Sequence, residues 1–408
     1  MTDEKPGLTL LGRLVLVAFV AGCLYGGWRL LWPQLKGLGR PPSGAVPSAN
    51  ASPASGGLFS RLGDAPAAEI GIAYGTEKKR WLEWAAAEFA KTKDGERIRV
   101  NLIPMGSLEG AHAVIAGDQR IHVWSPASAL YKDAFVQEWK VNHPNEPIAK
   151  EEALALTPMV FVMWAERHQA FQAKNGEVSF ATVGRALSEK TGWAGIAGRP
   201  EWGLFKFGHT HPNESNSGLL TLLLMAYEFH KKSRGLELKD VLDASFQTWM
   251  ADFEHGVSGL SNSTGTMMRD MVLRGPSTYD GLFVYESVVI DYLKSAEGRW
   301  GELHVDYPRR NMWSDNPYYV LDVPWSSAEQ RKAAERFLQF LLSVPVQQRS
   351  LEHGFRPGNP EVPVKAAGSP FLEYQRFGLR ADIGEICEAP RAEVMTNLLA
   401  SWQRARGR

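Results

Sequence analysis

From Glu69 onward the chain repeats one pattern, a short apolar run followed by an amphipathic one, and this alternation restricts the fold more than any other feature. Glu69–Tyr74 (EIGIAY) reads as a strand. Thr76–Lys91 reads as a helix, with Trp81, Trp84, Ala85 and Phe89 on one face at three-to-four spacing. Arg97–Ile103 alternates like a strand, Glu109–Ile115 reads as a short helix, Ile121–Trp124 as a strand and Ala127–Glu138 as a helix. Leu156–Trp164 reads as a buried strand carrying an internal Pro158. The pattern resumes with strands at Leu204–Phe207, Leu282–Val284 and Tyr318–Val323, and helices at Gly218–His230, Ser287–Ser295 and Ser326–Leu342. Ser326 is expected to cap the last of these, with Glu329 completing a capping box. Beyond Pro357 the chain reads as irregular, then helical around Ala392–Arg404. Strand–helix alternation of this kind predicts an α/β fold with a mainly parallel sheet. At 408 residues the chain is long enough for two lobes or domains.

The N-terminus is of a different kind. After a tail at 1–13, Leu14–Trp32 is apolar apart from Arg29, and about 20 such residues span a bilayer core. Two readings compete: an uncleaved transmembrane anchor, with Trp28 and Trp32 at the interface, and a lipoprotein signal, because Val20-Ala21-Gly22-Cys23 resembles a lipobox. Leu24-Tyr25 continue the apolar run past Cys23, which favours the anchor; a cleaved signal peptide is the third option. Residues 33–66 are rich in Pro, Gly, Ser and Ala, and such a segment is expected to be a disordered tether. An anchor and tether would hold the globular part near a membrane surface; charge does not settle on which side, because Lys5 and Arg13 face Arg29, Lys36 and Arg40.

Composition excludes several functions. Lys+Arg and Asp+Glu are equal at 45 each, against the basic excess of a nucleic-acid binder. The two cysteines, Cys23 and Cys387, provide no disulfide framework and no cysteine-rich zinc site. The chain has no G-x-x-x-x-G-K-[ST] and no G-x-G-x-x-G, which argues against ATPases and dinucleotide enzymes. Without a G-x-S-x-G elbow or an H-E-x-x-H motif, nothing positions a catalytic group, and the chain is read as a non-enzyme with no cofactor.

What recurs instead is a type of strand-to-helix junction. Tyr74-Gly75-Thr76, Met105-Gly106-Ser107, Trp124-Ser125-Pro126-Ala127-Ser128 and Thr210–Gly218 are all rich in small polar residues. A helix start leaves backbone N–H groups without partners, and hydroxyl or amide residues can satisfy them. The same donors can hold an oxygen-rich or negatively charged ligand. In parallel α/β sheets such loops converge outside the carboxyl ends of the strands, so four of them predict a polar cleft.

WSPAS at Trp124–Ser128, GHTHPNESNSG at Gly208–Gly218, VYES at Val284–Ser287 and the block from Tyr307 to Pro357 resemble bacterial extracellular solute-binding proteins related to the molybdate-binding ones. The last block is the most specific, with Pro317, Trp325, Ala333-Ala334, Phe337, Gln347 and Gly354-Phe355-Arg356 in one order. The resemblance runs from about Ala67 to Pro360. It implies the two-lobed type II periplasmic-binding-protein fold, with a ligand clamped between α/β lobes joined by two crossovers. Lobe I would comprise 67–157, lobe II 158–284, and the return to lobe I with the C-terminal helices 285–408. By position, Thr76, Ser107, Ser125 and Ser215, Asn216 and Ser217 match the residues that hold an oxyanion in molybdate-like relatives; Gly106, Thr210, Tyr285 and Glu286 complete the candidate ligand site. The first loop departs from the pattern by reading GTEKK, and a carboxylate at Glu286 facing the cleft would repel a dianion. The ligand is therefore expected to be a small polar solute, with an oxyanion, a cation, an amine and a neutral molecule all open. The implied role is extracytoplasmic solute capture, at the periplasmic side or cell surface, for an ABC-type importer through a membrane permease; the alternative is a membrane-anchored interaction or sensor module that kept the fold without transport.

Three further expectations follow from single residues. His209 and His211, two apart, would share a side of an extended segment and with Glu214 could hold a metal, against the plainer reading of a hydrogen-bonded loop pair. Lys78 and Lys79 could balance a bound anion, or simply form the solvated face of a first helix. His353–Pro357 reads as a helix end with glycine at the cap and Arg356 paired to a carboxylate.

Overall fold

The computed structural model describes residues 67–406. The expected anchor at 14–32 and tether at 33–66 lie outside the described residues. Among those described, no helix is long and apolar enough to cross a membrane. In chain order the strands are β1 (Ala68–Tyr74), β2 (Ile98–Pro104), β3 (Val123–Ser125), β4 (Ile148–Ala153), β5 (Ala155–Leu156), β6 (Met159–Trp164) and β7 (Phe207–Thr210). They continue with β8 (Gly259–Ser261), β9 (Gly281–Tyr285), β10 (Leu303–Asp306), β11 (Arg310–Asn311), β12 (Pro317–Leu321), β13 (Arg356–Pro357) and β14 (Glu385–Ile386).

Two five-stranded sheets form the two lobes. The first has the order β2-β1-β3-β12-β4, with β1 parallel to β2 and β3, and β12 antiparallel to its neighbours. The second has the order β10-β6-β9-β7-β8, with β7 parallel to β8 and β9, and β6 antiparallel to β9 and β10. Each parallel strand returns through a helix, as βαβ geometry requires.

In the first lobe, helix Lys79–Phe89 buries Trp81, Leu82, Ala85 and Phe89. Phe89 meets Phe337 of helix Ala328–Leu341 edge-on at 5.0 Å. In the second lobe, helix Asn216–Phe229 is buried at every residue from Asn216 to Tyr227. A helix apolar all round belongs at the centre of a lobe. Each leucine of its LLTLLL run contributes about 1.5–3 kcal/mol on burial.

The lobes are joined by two adjacent crossings. The chain leaves β5, passes Thr157-Pro158 and enters β6; Pro158 has no N–H to donate and falls in the gap between the two strands. It returns between Tyr307 and Asn316. Thr157 N–H donates to Ser314 O (3.0 Å) and Ser314 N–H to Thr157 O (2.9 Å). The buried Asn311 side chain clamps Met159, accepting from its N–H (3.0 Å) and donating to its carbonyl (2.7 Å).

The return therefore lies at 307–316 and not at 285, because helix Glu286–Ala296 and β10 stay with the second sheet. The stretch beyond the return serves both lobes. β13 pairs with β5, while helix Ala392–Arg406 packs on the second-lobe helices Asn216–Phe229, Leu238–Val241 and Ala244–Gly256. Two local expectations also shift. The strand expected at Leu204–Phe207 runs instead over Phe207–Thr210, and Leu204 is largely exposed. The capping box of helix Ala328–Leu341 uses Ser327 and Gln330, one residue later than Ser326 and Glu329.

Candidate functional site

The loops at the carboxyl ends of the parallel strands of both lobes face each other across a cavity of about 40 Å³. From the first lobe come Gly75, Thr76 and Glu77 after β1, Gly106 and Ser107 after β2, and Ala127 after β3. From the second come Glu214, Ser215 and Asn216 after β7, Asn262 to Gly265 after β8, and Tyr285 at the end of β9. One enclosed water needs on the order of 10–15 Å³ by this measure, so the space suits a ligand of only a few heavy atoms.

Four helix starts point at this cavity. Those behind Gly75 and Ser215 receive no side-chain cap, at Gly106 the Glu109 carboxylate accepts from the Gly106 N–H (3.0 Å), and Ser263 caps the fourth by accepting from Thr266 N–H. Ser215 stands at the N-cap position, but its hydroxyl bonds that of Ser217 and not a helix N–H (3.1 Å). An uncapped helix start presents N–H donors and the positive end of the helix dipole to whatever lies in front of it. Glu77 partly meets this at the first helix. Its carboxylate folds back over Gly75, so close that a Cβ there would stand 2.3 Å from Oε1.

The charges near the cavity are largely neutralised within the protein. Lys78 is fully buried, and its ammonium donates to Glu77 Oε1 (2.7 Å), Pro126 O (3.1 Å) and Asn316 Oδ1 (3.0 Å). Those three acceptors use all three donors, so none is left for a ligand. Burial pushes the Lys78 ammonium below its ordinary pKa, and the Glu77 charge pulls it back. Lys79 is exposed beside Glu83 and also stays out of the cavity. Glu214 stands half-exposed at the rim. No Lys, Arg or His is among the lining residues.

Of the sequence candidates, Thr76, Gly106, Ser107, Ser215, Asn216 and Tyr285 come together here. Asn216 Nδ2 donates to the Tyr285 hydroxyl (2.8 Å), and burial raises the Tyr285 pKa well above its ordinary value. Ser107 Oγ accepts from Ala127 N–H (3.0 Å), which joins two first-lobe loops.

The other four do not line the cavity. Ser125 is fully buried with its hydroxyl unpartnered; its carbonyl accepts from Gly75 N–H (3.1 Å) and fixes that turn. Thr210 and Ser217 lie one layer behind, in a hydroxyl chain with Thr264: Thr210 to Ser217 at 2.6 Å and Ser217 to Thr264 at 2.7 Å. Glu286 points away from the cleft. It opens helix Glu286–Ala296, is fully buried, and pairs with Arg356 and the Tyr307 hydroxyl. The dianion repulsion expected of it therefore does not arise.

The two histidines of the opening loop diverge. His209 is buried with Nε2 on Glu254 Oε1 (2.9 Å), while His211 leaves the strand and stands edge-on to Trp402. They share no metal position with Glu214. The loop Asn262–Gly265 joins the site from outside the four junctions, although N-S-T-G shares their small polar composition.

The family model for bacterial extracellular solute-binding protein matches residues 70–356. Among solved structures, a periplasmic thiamin binding protein aligns at TM-score 0.58 and 14% identity, over 86% of this chain and 100% of that one. Iron-bound HitA from Pseudomonas aeruginosa aligns at TM-score 0.55 and 13% identity, over 83% and 99%. The sulfate-binding protein SubI from Mycobacterium tuberculosis H37Rv aligns at TM-score 0.51 and 14% identity, over 83% and 98%. At these identities the likeness is one of fold. No curated protein matches the sequence.

Proposed function

Because this chain belongs to the bacterial extracellular solute-binding protein family, we propose that it clamps a small oxyanion between its two lobes and delivers it to an ABC-type importer. In this reading the apolar segment 14–32 holds the protein at the outer side of the cell membrane, and the permease of the importer is its partner. The observation that carries the ligand class is the set of three helix starts behind Gly75, Gly106 and Ser215, none capped by the side chain of the residue at its head, drawn from both lobes onto one small cavity. Backbone N–H groups and hydroxyls can bind an oxyanion without a cationic side chain. Contacts from both lobes would favour the closed arrangement, and the tie between Thr157 and Ser314 is the natural hinge.

A second reading has its own support. Glu77 and Glu214 are the charged lining residues, and a cationic solute would meet two carboxylates. A thermal-shift screen of the purified protein separates the two. Tetrahedral oxyanions such as sulfate, phosphate and molybdate, each well above its dissociation constant, should raise the midpoint by several degrees. A shift with cations or amines alone would replace the first reading by the second. No shift with any solute, and none carried over in native mass spectrometry, would remove the transport role.

A further inference from the structure

A cluster at the opposite edge of the second sheet takes no part in the cleft. His304 and Asp306 are two apart on the edge strand β10, so both side chains leave the same face. Helix Ala165–Asn175, which follows β6 directly, sets His168 against them. The His168 and His304 rings stack at 3.9 Å with 22° between their planes. His168 Nε2 stands 2.9 Å from Asp306 Oδ2, and one ligand atom from each of the three residues lies within 4.8 Å of the others. The cleft loop after β8 is at the far edge of this sheet, four strand spacings away, or roughly 19 Å.

Two features separate this cluster from an ordinary hydrogen-bonded pair. His168 is only 4% exposed, yet its Nε2 has no hydrogen-bond partner, and neither has Asp306 Oδ2. The two atoms are close but misaligned. An ion bound to both at the usual distance of about 2.0–2.1 Å would see them at roughly 90°, off the direct line between them. Leaving a buried imidazole nitrogen and a carboxylate oxygen unpartnered is costly, and a shared cation would satisfy both.

We propose that His168, His304 and Asp306 hold one divalent transition-metal ion of the zinc class, with solvent completing its coordination. Two imidazoles and one carboxylate select such an ion over magnesium or calcium, which prefer all-oxygen sites. Metal-ligating histidines bind in their neutral form. Arg380 adds a positive charge in the neighbourhood and weakens the site without blocking it. The ion would join helix Ala165–Asn175 to the edge strand. The C-terminal segment lies close by: a Cβ on Gly378 would stand 2.1 Å from Val305 O and 3.1 Å from His304 Nε2. The ion is thus a staple of the second lobe, separate from the cleft solute.

The test uses the full chain prepared without a histidine tag, stripped with EDTA and then titrated with zinc or magnesium. About one zinc per chain should survive desalting, and zinc but not magnesium should raise the melting midpoint by several degrees. His304→Asn and Asp306→Asn, each checked for folding by circular dichroism, should lose the retained zinc and the shift. Zinc at less than a fifth of an equivalent in the parent chain overturns the site. So does equal zinc retention by the parent and both folded variants.

Discussion

Arg356 grips Glu286 with two parallel bonds, Nε to Oε2 at 2.9 Å and Nη2 to Oε1 at 2.7 Å, with both side chains buried. The pair ties β13, at the crossing, to the first residue of the helix after β9. The Tyr307 hydroxyl also donates to Glu286, and Arg356 donates to the carbonyls of Arg380 and Ala381. Burial pushes the Glu286 carboxyl above its usual range, so its charge depends on these partners. Breaking a buried pair from one side strands the other charge, at about 3–5 kcal/mol. Arg356→Met should therefore destabilise the fold by that amount in urea denaturation. The double replacement with Glu286→Gln should cost much less than the sum of the two single ones. A single Arg356→Met within 1 kcal/mol of the parent would show that the pair does not anchor the crossing.

The cleft makes a graded prediction. Asn216→Ala and Thr76→Ala each remove a polar group that lines the cavity, and a hydrogen bond to a charged ligand is worth about 1.5–3 kcal/mol. Solute affinity by calorimetry should fall roughly tenfold or more for each, since 1.4 kcal/mol is a factor of ten. Ser125→Ala should leave affinity unchanged, because its hydroxyl touches neither the cavity nor any partner. Equal losses at all three positions would mean that the effects come from folding and not from contact.

Much of the fold was legible because apolar periodicity reports burial directly. β1 and β2 fall within a residue of their expected bounds, as does the C-terminal end of helix Asn216–Phe229, which starts two residues before the expected Gly218. Where burial was achieved by polar residues, the pattern misled. β7 buries His209 and Thr210, whose polarity is absorbed by Glu254 and Ser217, so the apolar run just before it looked like the strand. β4 (IAKEEA) is a half-exposed edge strand with too many charges to stand out, and β8 has three residues with no alternation. The helix-end reading of His353–Pro357 holds: Gly354 takes φ +80° and Arg356 finds a carboxylate. That this carboxylate is Glu286, 70 positions earlier, is a tertiary fact that no local pattern encodes. The same fact is what turns Glu286 away from the ligand.

Acid should weaken the fold through His122. This residue is buried, and its Nδ1 accepts from Gly71 N–H (3.1 Å), so that nitrogen must stay unprotonated. Burial holds its pKa below the ordinary 6.5. Well above 6.5 the imidazole is neutral in both states and its full contribution is present. As the pH falls through that value the unfolded chain takes up a proton that the folded one resists, and stability is lost until the folded pKa is reached. His304 shifts in the same direction and adds to the loss. Urea midpoints should fall between about pH 7 and pH 5, and more gently in His122→Asn. An identical slope in that variant would assign the acid sensitivity elsewhere.

Gly218 offers a case where packing and helix propensity oppose each other. It lies in the first turn of helix Asn216–Phe229, where alanine is intrinsically better by about 1 kcal/mol. A Cβ there, however, would stand 2.4 Å from Thr210 O and 2.7 Å from Pro212 N, both backbone atoms that cannot swing aside. Overpacking of this kind costs about 1–3 kcal/mol, so steric cost wins and Gly218→Ala should destabilise. It should also weaken solute binding, because relief of the clash moves the loop that carries Ser215 into the cavity. Gly265 is the matched control, early in helix Thr264–Arg274 with nothing within 4 Å of its added Cβ. Gly265→Ala should be neutral or slightly stabilising by thermal melt. If both substitutions behave alike, the close approach of the opening loop to its helix is not what demands glycine at 218.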